Sequence, residues 1–151
     1  MSAVELAELL IREGVRDTIA RYNATGDRGD VAGLAACFAP DGVLAIVGRD
    51  PYVGRDAIVA GLSGVGRREP GGDDPRPAPA HLHHCVASLH FVSVAPDEVR
   101  TVCYFTALTQ VGLDHWGRYR DHLVPIGDAW AFARRDVKVD GYAADSLFGP
   151  P

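Results

Sequence analysis

The sequence is short of cysteine, of basic charge and of long apolar runs. It has three cysteines in 151 residues, an odd number without CxxC spacing, which indicates a reduced cytoplasmic protein with small buried thiols. The formal net charge is -5, and no basic patch is interleaved with aromatic residues, so we expect neither nucleic acid nor an anionic membrane as a partner. No run approaches the roughly 20 apolar residues of a membrane span.

Several functional motifs are also missing. The first residues, MSAVELAELLIREGVRD, carry acids early and lack a basic region followed by a continuous apolar run, so they do not resemble a secretory signal. The stretch GVGRRE fails the GxGxxG dinucleotide pattern, and GLSGV lacks the second glycine of a nucleophile elbow. Neither a Walker A sequence nor HExxH occurs.

What is present is a set of helices followed by a run of strands. Apolar residues recur at helical spacing and predict a helix over residues 3–24. Asp30 is placed to cap a second helix, 39–42 is a turn, and 54–64 predicts a third helix. Strands predicted from β-branched and aromatic residues cover 43–47, 81–95, 98–111, 117–125 and 129–139. The order predicts an α+β fold with helices on one face of a curved sheet, which can enclose a pocket.

The length suits a single domain over residues 1–151, with a core of about 4–140. Residues 64–79 hold four glycines and four prolines, which indicates a flexible loop too short to link two domains. The tail, residues 141–151, is expected to be loosely ordered.

Three of the six histidines lie in the stretch HLHHC, residues 81–85. Strand alternation places His81 and His83 on one face and His84 on the other. An HxH pair can chelate a divalent ion, but no acidic residue follows before Asp97, so no metal site is predicted. We expect His81 and His83 at the exterior or the rim.

A set of motifs occurs in an order that resembles a known family. They are a helix ending in RY, an aspartate at the next turn, GDVAGLAACFAPDGVL, GRDAI, HH opening a strand, GRYRD and WAFARR. Together, over roughly residues 4–140, they resemble the SnoaL-like branch of the NTF2-like superfamily, and most of all its scytalone dehydratase and bile-acid dehydratase members. The resemblance implies a cone-shaped barrel, in which a bent sheet wraps around three N-terminal helices and an internal pocket.

The resemblance also implies a catalytic site. In those relatives a tyrosine near the end of the first helix, an aspartate just after it and a histidine opening the third strand meet in the pocket. The matching positions here are Tyr22, Asp27 and His84. Where scytalone dehydratase would have a second histidine, on the next strand, this chain has Phe105 or Thr106.

These residue types suit acid/base chemistry without a metal or an organic cofactor. Asp27 would hold the His84 imidazole in one tautomer, and His84 would remove a proton alpha to a carbonyl and return it to a leaving hydroxyl. Tyr22 would stabilise the enolate oxygen. Each residue also has an ordinary interpretation: Tyr22 as core, Asp27 as a turn residue and His84 as a hydrogen-bonded strand end.

Further residues are expected to contact the substrate. They are Phe105, Trp130, His90, which is in phase with His84, and one of Arg134 and Arg135. Asp121 is expected to pair with an arginine across two strands, as an architectural contact. His115 and Trp116 are expected in a hairpin turn, at an interface or at the rim of the pocket.

Two functions therefore stay open. The first is a cofactor-independent dehydratase, isomerase or cyclase acting on a hydrophobic, oxygenated small molecule such as a polyketide, steroid or terpenoid. The second is a non-catalytic module, either a ligand binder or a partner subunit like the small subunit of ring-hydroxylating dioxygenases. The resemblance also implies a homodimer or higher homo-oligomer.

Overall fold

A computed structural model describes residues 2–68 and 72–149 and packs their helices on a six-stranded sheet. The helices are α1 (Ala3–Asp27), α2 (Val31–Ala35) and α3 (Arg55–Leu62). The strands are β1 (Phe38–Ile46), β2 (Tyr52–Val53), β3 (His83–Val94), β4 (Val99–Thr109), β5 (Gly112–Ile126) and β6 (Ala129–Tyr142). The predicted α+β class, with helices first and strands after, is confirmed.

The sheet has the strand order β2-β1-β6-β5-β4-β3. Strands β3 to β6 pair antiparallel in sequence order, while β1 lies parallel to β6. Because β2 and β3 are the two edges, the curved sheet covers the helices without closing on itself. No helix of the described residues is long and apolar enough to cross a membrane.

Helix α1 extends further than its apolar spacing predicts. Its start is fixed by a capping box, in which the Ser2 hydroxyl accepts the Glu5 amide and the Glu5 carboxylate accepts the Ser2 amide. The helix continues three residues beyond Ala24 and ends at Asp27. Asp27 therefore belongs to the last helical turn, where its side chain can be directed at the sheet.

The hydrophobic core lies between the helices and the inner face of the sheet. The Asp30 carboxylate accepts the Gly33 amide at 2.8 Å and caps α2, as predicted. Core side chains, each worth about 1.5–3 kcal/mol on full burial, come from all layers: Val15, Ile19, Leu34, Phe38, Leu44, Ile58, Val99, Leu123 and Phe132.

Two local predictions are wrong. The turn expected at 39–42 is instead an irregularity inside β1, where the register to β6 shifts between Phe38 and Val43. The hairpin turn expected at His115 and Trp116 is strand, because the actual turn lies at Gln110 and Val111. It leads into β5 at Gly112, whose φ of 92° suits glycine. The short edge strand β2 has no counterpart among the predicted strands.

A bulge in β3 changes the face to which His90 belongs. The register to β4 shifts between Ala87 and His90, and Ser88 has a φ of 53°. The inserted residue breaks the alternation that would place His90 in phase with His84. His90 is consequently exposed on the outer face of the sheet, and the expectation that it shares the space of His84 is wrong.

Candidate active site

Asp27 and His84 form a close pair between the end of α1 and the start of β3. The Asp27 Oδ1 lies 2.6 Å from the His84 Nδ1, and the Asp27 Oδ2 accepts the His84 backbone amide at 2.9 Å. Both side chains are largely buried, with exposed fractions of 16% and 19%. A carboxylate on Nδ1 selects the tautomer with the proton on that nitrogen, so Nε2 is left with its lone pair.

A cavity of about 590 Å³ opens beside this pair. It lies between the end of α1, α2, the segment after α3 and the residues leading into β3. Much of its wall is apolar: Val31, Leu34, Leu62, Val65, Leu82 and Phe148. Its size is in the range of small-molecule sites, and its wall suits a hydrophobic ligand.

Two tyrosines on the cavity wall, Tyr22 and Tyr119, lie against a fully buried arginine. The Arg135 guanidinium carbon is 4.3 Å from the centre of the Tyr22 ring and 4.0 Å from that of Tyr119. Asp121 neutralises the arginine through two hydrogen bonds of 2.8 Å. The expected Asp121 pair is thus present, with Arg135 as its partner.

Burial raises the pKa of the Tyr22 hydroxyl, although the nearby Arg135 charge opposes the shift. Burial, together with Tyr22, also raises the pKa of Tyr119. Burial by itself lowers the pKa of Arg135, but Asp121 outweighs it and the net shift is upward. Both tyrosines therefore stay protonated near neutral pH and can donate a hydrogen bond into the cavity.

A second aspartate–histidine pair, not anticipated as a site from the sequence, lies on β5. The His115 Nδ1 is 2.8 Å from the Asp114 Oδ1, and the His115 ring centre is 5.9 Å from that of His84. Burial lowers the pKa of His115, Asp114 opposes that shift, and the charge of His84 adds to it. Two imidazoles thus lie side by side on the inner face, from β3 and from β5.

The family follows from the sequence comparison. The family described as a SnoaL-like domain matches residues 7–136. The chain belongs to the SnoaL-like family. No curated protein matches the chain.

Solved structures share the fold of this chain. An NTF2-like protein with a cystatin-like fold from Novosphingobium aromaticivorans is 23% identical, with a TM-score of 0.74 over 98% of this chain and 95% of that one. A candidate scytalone dehydratase from the same species is 19% identical, with a TM-score of 0.75 over 91% and 89%. A protein from Catenulispora acidiphila in complex with S-DNPA is 29% identical, with a TM-score of 0.70 over 92% and 96%.

Residues 146–149 of the C-terminal tail of this SnoaL-like protein pack onto the site, although the sequence predicts a loose tail over 141–151, of which 150 and 151 lie outside the described residues. Asp114 accepts hydrogen bonds from the Ser146 hydroxyl and the Leu147 amide, both at 2.7 Å. Arg76 donates to the Gly149 carbonyl at 2.6 Å. Phe148 is thereby held against the cavity.

The arginine of the RR pair that faces the interior is Arg135. His122 pairs with Arg134 and Leu123 with Phe132, so Ala133 is an extra residue in β6. Arg134 is exposed and bonds to Asp136 on its own strand. A contact of Arg134 with a ligand in the cavity has no support in this geometry.

Phe105 and Trp130 are both buried but lie at different distances from the cavity. The Phe105 ring stacks on Tyr119 at 4.6 Å and is 5.8 Å from His84, so it forms the layer behind the site. Trp130 packs near Gly14, and its carbonyl accepts the Thr18 hydroxyl at 2.7 Å. Trp130 is therefore a core residue beside the middle of α1 and does not line the cavity.

The two remaining histidines of the HLHHC stretch are exposed, as expected. The rings of His81 and His83 are 5.0 Å apart, and only His81 borders the cavity. Within residues 2–68 and 72–149, no group of three or more His, Cys, Asp or Glu side chains is arranged to hold a metal ion.

Proposed function

We propose that this SnoaL-like protein is a cofactor-independent acid/base enzyme, a dehydratase or isomerase, for a hydrophobic and oxygenated small molecule. The observation that carries the proposal is the Asp27–His84 pair beside a largely apolar cavity. A polyketide, steroid or terpenoid skeleton has the required character. The names of the structural neighbours are compatible with such chemistry, but at these identities the neighbours support the fold and not the reaction.

His84 is the general base in this proposal. Asp27 orients the ring through Nδ1, and the second Asp27 oxygen binds the His84 amide, so the carboxylate is fixed at two points. The Nε2 lone pair then removes a proton from a carbon alpha to a ligand carbonyl. Base catalysis of this kind is worth about 10²–10⁴-fold in rate.

Tyr22 stabilises the oxyanion that forms on the carbonyl. As the proton leaves the carbon, the C–H electron pair moves into an enolate, and the Tyr22 hydroxyl donates a hydrogen bond to its oxygen. The Arg135 guanidinium, 4.3 Å from the centre of the Tyr22 ring, supplies a fixed positive charge behind the phenol. Tyr119 lies across the same arginine and can take a similar role.

Dehydration is completed by the same histidine. The enolate collapses, the carbon–oxygen bond at the β position breaks, and the departing hydroxyl takes the proton from the His84 imidazolium to leave as water. Return of the proton to a different carbon would instead give an isomerisation. In either case His84 ends in its starting protonation state.

The proposal is tested by carbon–hydrogen exchange, which needs no knowledge of the natural leaving group. The protein is incubated with 1-tetralone in D2O, and deuterium uptake alpha to the carbonyl is followed by mass spectrometry. We expect uptake above background, with a loss of about 10²–10⁴-fold in His84→Gln. His90→Gln, on the outer face of the same strand, is the matched control and is expected to keep the activity.

A binding module is the second function, and the same assay separates it from the first. The open cavity would suffice for binding, and the outer face of the sheet exposes Tyr104 and Trp116, as an interaction surface would. A ketone that binds, as measured by a thermal shift, but shows no exchange would contradict catalysis and favour this function.

We also propose a cytoplasmic homodimer formed through the outer face of the sheet.

A further inference from the structure

Asn23 is a buried polar residue next to the Asp27–His84 pair, and the described residues offer its side-chain carbonyl no partner. Its exposed fraction is 8%, and its Oδ1 atom is buried without a hydrogen-bond donor among the described residues. Asn23 lies one helical turn before Asp27, so the two side chains emerge on the same face of α1. The orphan amide and the proposed base are therefore neighbours.

Asn23 borders two cavities that meet at the same polar residues. The main cavity of about 590 Å³ lies on one side. A second cavity of about 460 Å³ lies between α1 and β3 on the other side. Asn23, Asp27 and His84 line both of them, so these three residues form a polar partition between two largely apolar spaces.

A structural role does not account for this residue. Asn23 follows Ile19 by one turn on the buried face of α1, where a leucine would pack without leaving an orphan polar atom. Asparagine is also a weaker helix former than leucine. Buried amides are nearly always hydrogen-bonded, and a lone unsatisfied carbonyl destabilises the folded protein. A ligand group that supplies the missing donor removes that cost.

We propose that the Asn23 amide recognises the hydroxyl group of the ligand and presents it to His84. For this the amide turns its carbonyl, which is buried in the ligand-free protein, towards the cavity. The carbonyl then accepts a hydrogen bond from the hydroxyl, which leaves the lone pairs of the hydroxyl oxygen free to take a proton from His84. Asn23 is thus a positioning and specificity residue, and it makes the cavity selective for ligands with a hydroxyl group. This inference rests on the proposed function of the cavity.

The test compares a hydroxylated probe with its methyl ether. Binding of 1-naphthol and of 1-methoxynaphthalene is measured by calorimetry in wild type and in Asn23→Leu. We expect the variant to bind 1-naphthol roughly fivefold to tenfold more weakly, which is the value of one neutral hydrogen bond, and to bind the ether as before. The melting temperature of the ligand-free variant is expected to rise by about 2–4 °C, because the orphan carbonyl is gone.

A matched control and a second variant keep the result readable. Thr25→Val removes a buried hydroxyl two residues further along α1, which bonds to the Arg21 and Tyr22 carbonyls and does not line the cavity. It is expected to lower the melting temperature and to leave the preference for 1-naphthol unchanged. Asn23→Ala removes the amide without adding bulk and is expected to reproduce the selective loss.

Two outcomes would overturn the inference. One is an unchanged preference for 1-naphthol in both Asn23 variants. The other is a melting temperature that falls by several degrees in Asn23→Leu with the preference intact, which would mean that the amide is structural. A failure of the proposed catalysis can be distinguished from a failure of this inference. If the protein prefers 1-naphthol but exchanges no ketone proton, the role of Asn23 stands and the enzymatic function does not.

Discussion

The buried pair of Arg135 and Asp121 beneath the tyrosines allows a quantitative prediction. The exposed fraction of both side chains is 0%, and they are joined by two hydrogen bonds of 2.8 Å. The Asp121→Asn substitution removes the negative charge and keeps the shape. It leaves a guanidinium that is surrounded by the rings of Tyr22, Tyr119 and Phe132 and has no counterion within the pair.

The magnitude follows from the burial of the pair. Removing one partner of a buried ion pair costs about 3–5 kcal/mol, because the remaining charge cannot regain its hydration. The Arg135 Nη1 atom is already buried without an acceptor, so no alternative partner is at hand within the described residues. For a chain of this length each 1 kcal/mol lowers the melting temperature by about 2–4 °C. Asp121→Asn is therefore expected to melt about 6–20 °C below wild type.

The assays are thermal melting and urea unfolding at pH 7, with a surface pair as the matched control. Arg118 and Asp140 form a fork of the same kind, with hydrogen bonds of 3.0 and 2.9 Å, but their exposed fractions are 41% and 28%. Asp140→Asn is expected to cost at most about 1 kcal/mol. The double variant Asp121→Leu with Arg135→Met, which has no buried charge, is expected to recover most of the lost stability.

A comparison of the free energies of unfolding tests the effect of burial and that of the unpaired charge. If Asp121→Asn costs no more than Asp140→Asn, burial does not set the strength of this pair. If the double variant is as unstable as the single one, an unpaired charge is not the cause of the loss. The double variant also keeps the test readable if Asp121→Asn is too unstable to purify.

Two further predictions concern pH and assembly. Burial holds the pKa of His115 in the folded protein below the 6.5 of the unfolded chain, although Asp114 opposes the shift. Between the folded and the unfolded pKa, the unfolded chain therefore binds a proton and the folded one does not. This contribution to the free energy of unfolding is therefore fully present above pH 6.5 and is lost as the pH falls below it, by at most about 1.4 kcal/mol per pH unit. In His115→Phe, the urea midpoint should change less between pH 5 and 8 than it does in wild type. An unchanged pH dependence would contradict this. Tyr104 and Trp116, with exposed fractions of 59% and 37%, should be buried in the proposed homodimer. Light scattering should then show a dimer for wild type and a monomer for the double variant Tyr104→Glu with Trp116→Glu. A monomeric wild type would disprove the interface.

The residues of the proposed site could be predicted from the order of motifs, but their geometry could not. Tyr22, Asp27 and His84 are the positions that the family resemblance implies, and all three line one cavity. The apolar spacing predicts a helix only as far as residue 24, because Asp27 is polar and Asp is common in turns. Asp27 nevertheless belongs to α1. Its side chain bonds to His84, 57 residues away in the sequence, and no local pattern contains such a contact.

Strand alternation could not predict the sheet face on which His90 and the two arginines lie, for a different reason. A bulge inserts one residue into a strand and exchanges the two faces for every residue beyond it. Ser88 does this in β3 and Ala133 does it in β6. Nothing in the side chain of serine or alanine marks such a position, because the bulge is set by the register of the neighbouring strand.

The second histidine, in contrast, could have been found. Counting back by twos along β5 from Tyr119, a buried residue, leads through Gly117 to His115, which is therefore on the inner face. Asp114, the neighbour of His115, is buried as well, because it is the extra residue of a bulge in β5 opposite Ala107 and Leu108 of β4. Two consecutive inward polar residues require such a break in alternation. The bulge thus lets one short segment direct His115 towards His84 and, through Asp114, hold the tail that carries Phe148 over the cavity.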